Sequence, residues 1–437
     1  MNKKSVEPID DQIESQREGA GRTRERRLLL CLDGVPFEIM KAAKERGLFE
    51  SFGPPSRLLS PFPTMTNIAL STMLKATPPL GYESLYFDRN RREVCGGVGK
   101  YIGRRTPEKQ PSSYMDELDY QEPLPFEYLV YVAPEAVWRA DMRRFHERFR
   151  QAPQTRDYFA FLKGTDGLLH IRGPKRLEIA LESLDKILKE IQACCGQETE
   201  IMLFSDHGMS LGAHKRINLQ THLRQCGYKL AGSLRDVNKR RNVALPAFGL
   251  IGFAAMYCVD EEAAAQLSED VAALEGVDFA IHREGERAVI VRSERGAARI
   301  ERYENGRGAL YSYEQLTGDP LHLAAVISEL RGAGQLDQKG FAPDAVWFER
   351  TAEHTYPDAL DNLYTAMCSP RVGHTADVLI STKDGYYYGM TAFSRFVRLA
   401  ATHGNAAKDS TSAFLMSTHR NFSRAVRGSE AQPLLKG

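Results

Sequence analysis

Three separate stretches of this chain repeat one pattern, an unbroken apolar run that stops at a polar tip carrying an aspartate. Leu28–Leu32 reads LLLCL and ends at Asp33-Gly34. Tyr158–Leu162 reads YFAFL and leads to Gly164-Thr165-Asp166-Gly167, and Ile201–Phe204 reads IMLF and leads to Ser205-Asp206-His207-Gly208. Short apolar runs bounded by turn formers suit strands buried on both faces, as in a parallel sheet. Between the second and third runs, Leu177, Leu181, Leu184, Leu188 and Ile191 recur at helical spacing behind Gly173-Pro174, and proline is tolerated in the first helical turn. Strand, polar tip, helix, strand, polar tip predicts an open, mostly parallel α/β sheet flanked by helices. In such sheets ligands sit beyond the carboxyl ends of the strands, where all three aspartates would gather.

The grammar changes from about residue 215 to 390. Ala288–Val291, Ala298–Tyr303 and Ala309–Tyr313 read as short strands separated by Arg295-Gly296 and by Asn305-Gly306-Arg307-Gly308. That is the signature of an antiparallel meander. The expected organisation is a catalytic core over 26–214 and 391–425, interrupted by a smaller α+β cap over 215–390. A chain of 437 residues is long enough for both. Residues 1–25 are polar, charged and aperiodic, and are expected to form a disordered arm.

The formal net charge of +1 gives no global field to recruit nucleic acid or an anionic membrane, so no specific nucleic-acid binding is expected. One local exception is Trp138-Arg139…Arg143-Arg144…Arg148…Arg150. It reads as a solvated helix face, with contact to a phosphorylated partner or a lipid surface as the alternative. The seven cysteines form no short-spaced ladder and are odd in number, which predicts reduced thiols and a cytoplasmic protein. No apolar stretch approaches the length of a transmembrane segment.

Aspartate and histidine at strand tips are what a cluster of divalent cations needs. The candidates are Asp33, Asp166, His170, Asp206, His207 and, far downstream, His403 in Thr402-His403-Gly404-Asn405. Asp166 and His170 lie four apart, so one helical turn aims both at a common point. The adjacent Asp206-His207 pair needs an irregular backbone to face one way, which Gly208 permits. Singly, each has an ordinary explanation as a cap, a turn former or a surface residue. His214, His354 and His374 read as surface histidines, with support of the ligands from behind as the alternative. The joint pattern is what points to metal chemistry.

That pattern has a counterpart. Asp33-Gly34, Phe62-Pro63-Thr64-Met65-Thr66, Asp166-Gly167-Leu168-Leu169-His170-Ile171-Arg172-Gly173-Pro174, Ser205-Asp206-His207-Gly208-Met209 and His403-Gly404 together resemble the alkaline phosphatase superfamily. Within it the chain is most similar to the nucleotide pyrophosphatase/phosphodiesterase branch, from about residue 27 to 420. The resemblance implies an alkaline-phosphatase-like core and two divalent metal ions, zinc by expectation and manganese or iron as alternatives. It implies that Asp166, His170 and His403 hold one metal, and that Asp33, Asp206 and His207 hold the other. Thr66 would be the fourth ligand of the second metal and the nucleophile, with Thr64 as the rival. The implied reaction is phosphodiester hydrolysis of a small phosphorylated substrate through a phosphothreonine. A threonine hydroxyl is a poor nucleophile near neutral pH, and metal coordination is one way to activate it.

One departure stands out. The branch carries an asparagine downstream of the nucleophile that donates to a phosphate oxygen, and Gly81-Tyr82-Glu83-Ser84-Leu85-Tyr86-Phe87-Asp88 has none. Asn67 is the candidate substitute in substrate binding, and Asn90 a more distant one; the backbone N–H of Thr66 is a further donor. The alternatives are a phosphomonoesterase, a phosphonate hydrolase, or an inert binding protein that keeps the fold. The nucleophile segment has no Cys-x-Pro-x-Arg or Ser-x-Pro-x-Arg motif of a sulfatase.

Overall fold

Each of the three apolar runs is a buried strand. In the computed structural model, which describes residues 26–97, 112–130, 132–196, 198–306, 308–390 and 398–436, they lie side by side. The arm expected over 1–25 falls outside the described residues. The chain first lays down β1 (Leu28–Leu32), helix α1 (Phe37–Glu45), β2 (Ser56–Leu59) and α2 (Thr66–Leu74). There follow β3 (Tyr120–Gln121), α3 (Leu124–Leu129), α4 (Pro134–Gln151), β4 (Tyr158–Leu162), α5 (Gly164–Arg172), α6 (Pro174–Cys195) and β5 (Ile201–Ser205). It then builds β6 (Phe253–Met256), α7 (Glu261–Ala272), β7 (Val277–Glu284), β8 (Ala288–Ser293), β9 (Gly296–Asn305), β10 (Gly308–Gly318), β11 (Phe341–Pro343), α8 (Ala359–Cys368) and β12 (Val378–Thr382). Finally it returns to add β13 (Ser412–Ser417) and β14 (Ala425–Arg427).

The first sheet has the order β14-β2-β13-β5-β1-β4-β3. It is mixed: β13 runs antiparallel to both neighbours, while the other strands share one direction. The apolar runs are continuous because both faces are covered. Leu28, Leu30 and Leu32 pack with residues of α1, α4, α5 and α6 such as Met40, Trp138, Leu168 and Leu184. Leu29 and Cys31 point the other way, against Ala69, Leu70 and Met73 of α2. The Leu177-to-Ile191 periodicity is the buried stripe of α6.

The second sheet, β6-β12-β7-β8-β9-β10-β11, is antiparallel throughout. The short hairpin signals at Arg295-Gly296 and after Asn305 join β8, β9 and β10. One face packs with α8, the other with α7. Phe62, ahead of α2, and Ile68, within it, join the cluster that contains Phe279 of β7, so apolar contact links the two sheets. Among the described residues no helix is long and apolar enough to cross a membrane, and all seven cysteines are free thiols.

A buried ion cluster also joins the two halves. Arg427, at the end of the edge strand β14, donates from Nε to Asp358 Oδ2 at 2.6 Å and from Nη2 to Asp344 Oδ1 at 2.7 Å. Asp358 precedes α8 and is itself buried. Removing the cation strands a carboxylate in a low-dielectric interior, which costs more than the pair contributes when intact. Arg427→Met is therefore expected to lower unfolding stability by about 3–5 kcal/mol, read as a shift in the urea midpoint; a shift below about 1 kcal/mol would show the cluster to be peripheral.

Candidate metal centre

Sheet register brings Asp33 and Asp206 together. Leu32 of β1 pairs with Ser205 of β5 on one side and with Leu162 of β4 on the other, so the three polar tips leave the sheet side by side. Gly34 takes a left-handed φ of +69°, which turns the chain directly after Asp33. Its N–H donates to Asp206 Oδ1 at 3.1 Å. Ser205 Oγ accepts from Val35 N at 2.9 Å and donates to His207 O at 2.8 Å. Thr165 Oγ1 donates to Asp33 O at 2.6 Å. These bonds fix the strand tips to each other.

Past β4 the chain enters α5 at once, and Asp166 and His170 occupy the same face one turn apart, as their spacing predicts. His403 follows a short strand, Ala401–Thr402, that pairs with Ser210–Leu211 just beyond His207. The six side chains thus form two compact groups, Asp166 with His170 and His403, and Asp33 with Asp206 and His207. Within each group one donor atom per residue lies within 4.8 Å of the others. The groups touch: the His207 and His403 rings stack with centroids 4.0 Å apart and planes 19° apart.

Thr66 is the first residue of α2. Its Oγ1 lies 3.2 Å from Asp33 Oδ1 and 3.3 Å from His207 Nε2, and the residue is half-buried. Thr64 is placed differently. It is fully buried, and its hydroxyl accepts from Gly404 N at 2.8 Å and faces Asn405 O at 3.2 Å. Asn67 is buried and turned toward the chain at 81–82, where its amide nitrogen lies 3.3 Å from Tyr82 O. Its oxygen accepts from Ile68 N. Asn90 is exposed in the turn after Asp88. Glu83, in the stretch that lacks the asparagine, accepts from Phe248 N and Gly249 N.

Three contacts that the sequence does not announce orient the imidazoles. Nδ1 of His170 lies 2.8 Å from Ala401 O, Nδ1 of His403 2.7 Å from Thr64 O, and Nδ1 of His207 2.9 Å from Gly208 O. A carbonyl can only accept, so each Nδ1 carries its proton and each Nε2 is left to face the carboxylates. A histidine that ligates a metal is held in this way by its other nitrogen. Gly208 is required by close approach, since a Cβ there would sit 2.1 Å from Asp409 O. Gly34 lines the pocket: a Cβ on it would meet Met209 Cε at 2.8 Å and Asp166 Oδ1 at 3.2 Å. His214, His354 and His374 belong to neither group; His214 bonds Gly212 O, His354 faces His322 O, and His374 stacks on Tyr86.

The pocket gathers three carboxylates and three imidazoles in a buried interior. Asp33, Asp206 and His207 are fully buried, and Asp166, His170 and His403 nearly so. Asp33 Oδ2 has no hydrogen-bond partner, although buried polar atoms are rarely left so; Asp166 Oδ1 lies 3.2 Å from His170 Nε2, and Asp206 Oδ2 3.4 Å from His207 Nε2. Burial, with the charges of Asp206 and Asp166, pushes the Asp33 carboxyl up to about 8. Burial opposes a charged His207, yet Asp206 and Asp33 raise it to about 10. Burial and the His207 charge hold His403 well below its usual range. Protons thus balance part of the carboxylate charge, and the donor set of carboxylate oxygens and imidazole nitrogens fits divalent cations in both groups.

Human ectonucleotide pyrophosphatase/phosphodiesterase 5 shares 12% identity with this chain at a TM-score of 0.47, with 94% of each chain covered. Phosphonoacetate hydrolase from Sinorhizobium meliloti, solved with phosphonoformate, shares 12% identity at a TM-score of 0.48, over 94% of this chain and 95% of that one. No curated protein matches. The family described as type I phosphodiesterase / nucleotide pyrophosphatase matches residues 89–317, a span that holds Asp166, His170, Asp206 and His207. With just over half of its length matched, and in agreement with the branch its motifs resemble, the chain belongs to the type I phosphodiesterase / nucleotide pyrophosphatase family.

Proposed function

We propose that this protein hydrolyses phosphodiesters with Thr66 as nucleophile and two divalent cations, zinc by preference, as cofactors. Asp33, Asp206, His207 and Thr66 would hold one cation, and Asp166, His170 and His403 the other. The observation that carries this reading is the placement of the Thr66 hydroxyl, at the mouth of a buried carboxylate–imidazole cluster and within 3.3 Å of two of its members. Bound there, the cations supply positive charge that lowers the pKa of the hydroxyl and offsets charge on the attacking and departing oxygens.

The chain's own groups do the rest. Thr66 Oγ1 attacks phosphorus, the bond to the leaving alcohol breaks, and water later cleaves the phosphothreonine. As the first residues of α2, Thr66 and Asn67 have backbone N–H groups with no acceptor inside the helix; such a helix start suits a non-bridging phosphate oxygen. These N–H groups take over the part that an asparagine at 81–88 would play. Thr64 acts indirectly, because its carbonyl and hydroxyl hold the His403 segment. Family membership and the threonine at 66 favour diesters over monoesters. The 215–390 region, which contacts the 403–405 loop, is proposed to select the substrate.

Metal-loaded protein is expected to turn over bis(p-nitrophenyl) phosphate with kcat/KM at least about tenfold above that for p-nitrophenyl phosphate, or about 1.4 kcal/mol of discrimination. The reverse order, or preference for a phosphonate, would move the reading to a sister activity, and no turnover at all would favour an inert binding protein. Thr66→Ala should keep its metals and lose about 10³-fold or more in kcat, equivalent to about 4 kcal/mol of barrier; full activity would remove Thr66 from the chemistry. Thr64→Val leaves the buried Gly404 N–H without its acceptor and should cost about 1–3 kcal/mol in stability, measured by urea unfolding.

Metal uptake should respond to pH in a defined direction. Asp33 at about 8 and His207 at about 10 are protonated at neutral pH in the metal-free protein. Both protons must leave on loading, so apparent affinity should rise with pH, by about tenfold per unit for each proton released. Loading to 100 times Kd should add about 2.7 kcal/mol per site, visible as a higher Tm that a chelator reverses. A Tm indifferent to both metal and chelator would contradict the assignment.

A further inference from the structure

We infer that the outer face of α4, together with the exposed Leu129 and Val132 before it, docks on an anionic phospholipid surface. The inward stripe of this helix is apolar: Val137, Trp138, Met142, Phe145 and Phe149 are buried. Its outward side carries Arg139, Arg143, Arg144, Arg148 and Arg150, all exposed, with Glu147 as the one carboxylate among them. None of these five arginines has an ion pair among the described residues. Several exposed arginines elsewhere are paired, as Arg235 is with Glu93 at 2.7 Å and Arg424 with Glu353 at 2.6 Å. In a chain whose formal net charge is only +1, this is a strong local excess of positive charge on one helix.

The second observation lies at the start of the same helix. Leu129 is 48% exposed and Val132 76% exposed, immediately before Pro134 opens α4. Basic residues beside exposed apolar side chains are the combination that membrane interfaces take, the charges meeting anionic headgroups and the apolar groups entering the acyl boundary. A nucleic acid would satisfy the arginines but has no use for Leu129 and Val132. The orientation has a consequence for the site. Trp138 of α4 backs directly on Gly164 of α5, where a Cβ would meet its ring at 3.0 Å, and α5 carries Asp166 and His170. A docked α4 therefore sets the metal pocket one helix behind the lipid surface.

The test is sedimentation of the full chain with vesicles of phosphatidylcholine alone and of phosphatidylcholine mixed with phosphatidylserine, at low and high salt. Binding is expected to the anionic vesicles alone, and to weaken as salt rises. Each basic residue near such a surface is worth about fivefold in affinity, so Arg143→Glu/Arg148→Glu should weaken binding at least about tenfold. Val132→Asp should weaken it as well, and both variants should keep normal turnover of a soluble ester, which shows that they are folded. Failure to bind anionic vesicles, equal binding by wild type and the charge-reversed variant, or tighter binding to duplex DNA than to vesicles would each overturn the proposal.

Discussion

Three carboxylates and three imidazoles are buried together in one pocket, and the rest of the structure is arranged around that fact. An unpaired charge in a protein interior is costly, and here Asp33 Oδ2 has no donor, while Asp166 Oδ1 and Asp206 Oδ2 face only imidazole nitrogens across 3.2 and 3.4 Å. Protons on His207 and Asp33 relieve part of the strain, but they do so at the positions where cations would serve better. The Nδ1 contacts to Ala401, Thr64 and Gly208 hold the rings in the orientation that leaves every Nε2 facing inward. Gly34 keeps the floor of the pocket clear, and Gly208 allows the 206–208 loop to lie against the backbone at 409–412.

The second sheet enters the same account through His403. Gly252, just before β6, donates to His403 O at 2.6 Å, and Thr382, ending β12, donates to Gly252 O at 2.9 Å. Asn405 Nδ2 reaches Thr382 O at 3.2 Å. One of the six clustered side chains is thus held by the antiparallel sheet, while the others come from the tips of the mixed sheet and from α5. A few backbone hydrogen bonds thus join the second sheet to the site, and the Arg427 clasp ties β14 to Asp344 and Asp358.

Much of this was legible in the sequence because it is local. The apolar runs, the helical stripe of α6 and the Asp166–His170 spacing each follow from a period or an interval along a few residues. The convergence of Asp33, Asp206 and His207 rests on the parallel register of β1 and β5. What was not legible depends on contacts between distant segments. The resemblance puts Thr66 ahead of Thr64 as nucleophile, but the burial of Thr64 against the 403–405 loop cannot be read from the motif. In the sequence Gly208 permits an irregular backbone after Asp206-His207; its φ is ordinary, and it is the close approach of Asp409 O that excludes a side chain. Asn67 suggested a phosphate donor, and its carboxamide is directed at the 81–82 backbone. Backbone carbonyls that clamp imidazoles leave no trace in residue identity, and neither does the pairing of Arg427 with Asp344 and Asp358.

The most direct test of the central claim is anomalous X-ray diffraction at the zinc edge from crystals grown with zinc. Two strong peaks are expected, one within bonding distance of Asp166, His170 and His403, the other of Asp33, Asp206, His207 and Thr66 Oγ1. A map with no peak in this pocket, or with peaks bound only by surface residues, would contradict the account.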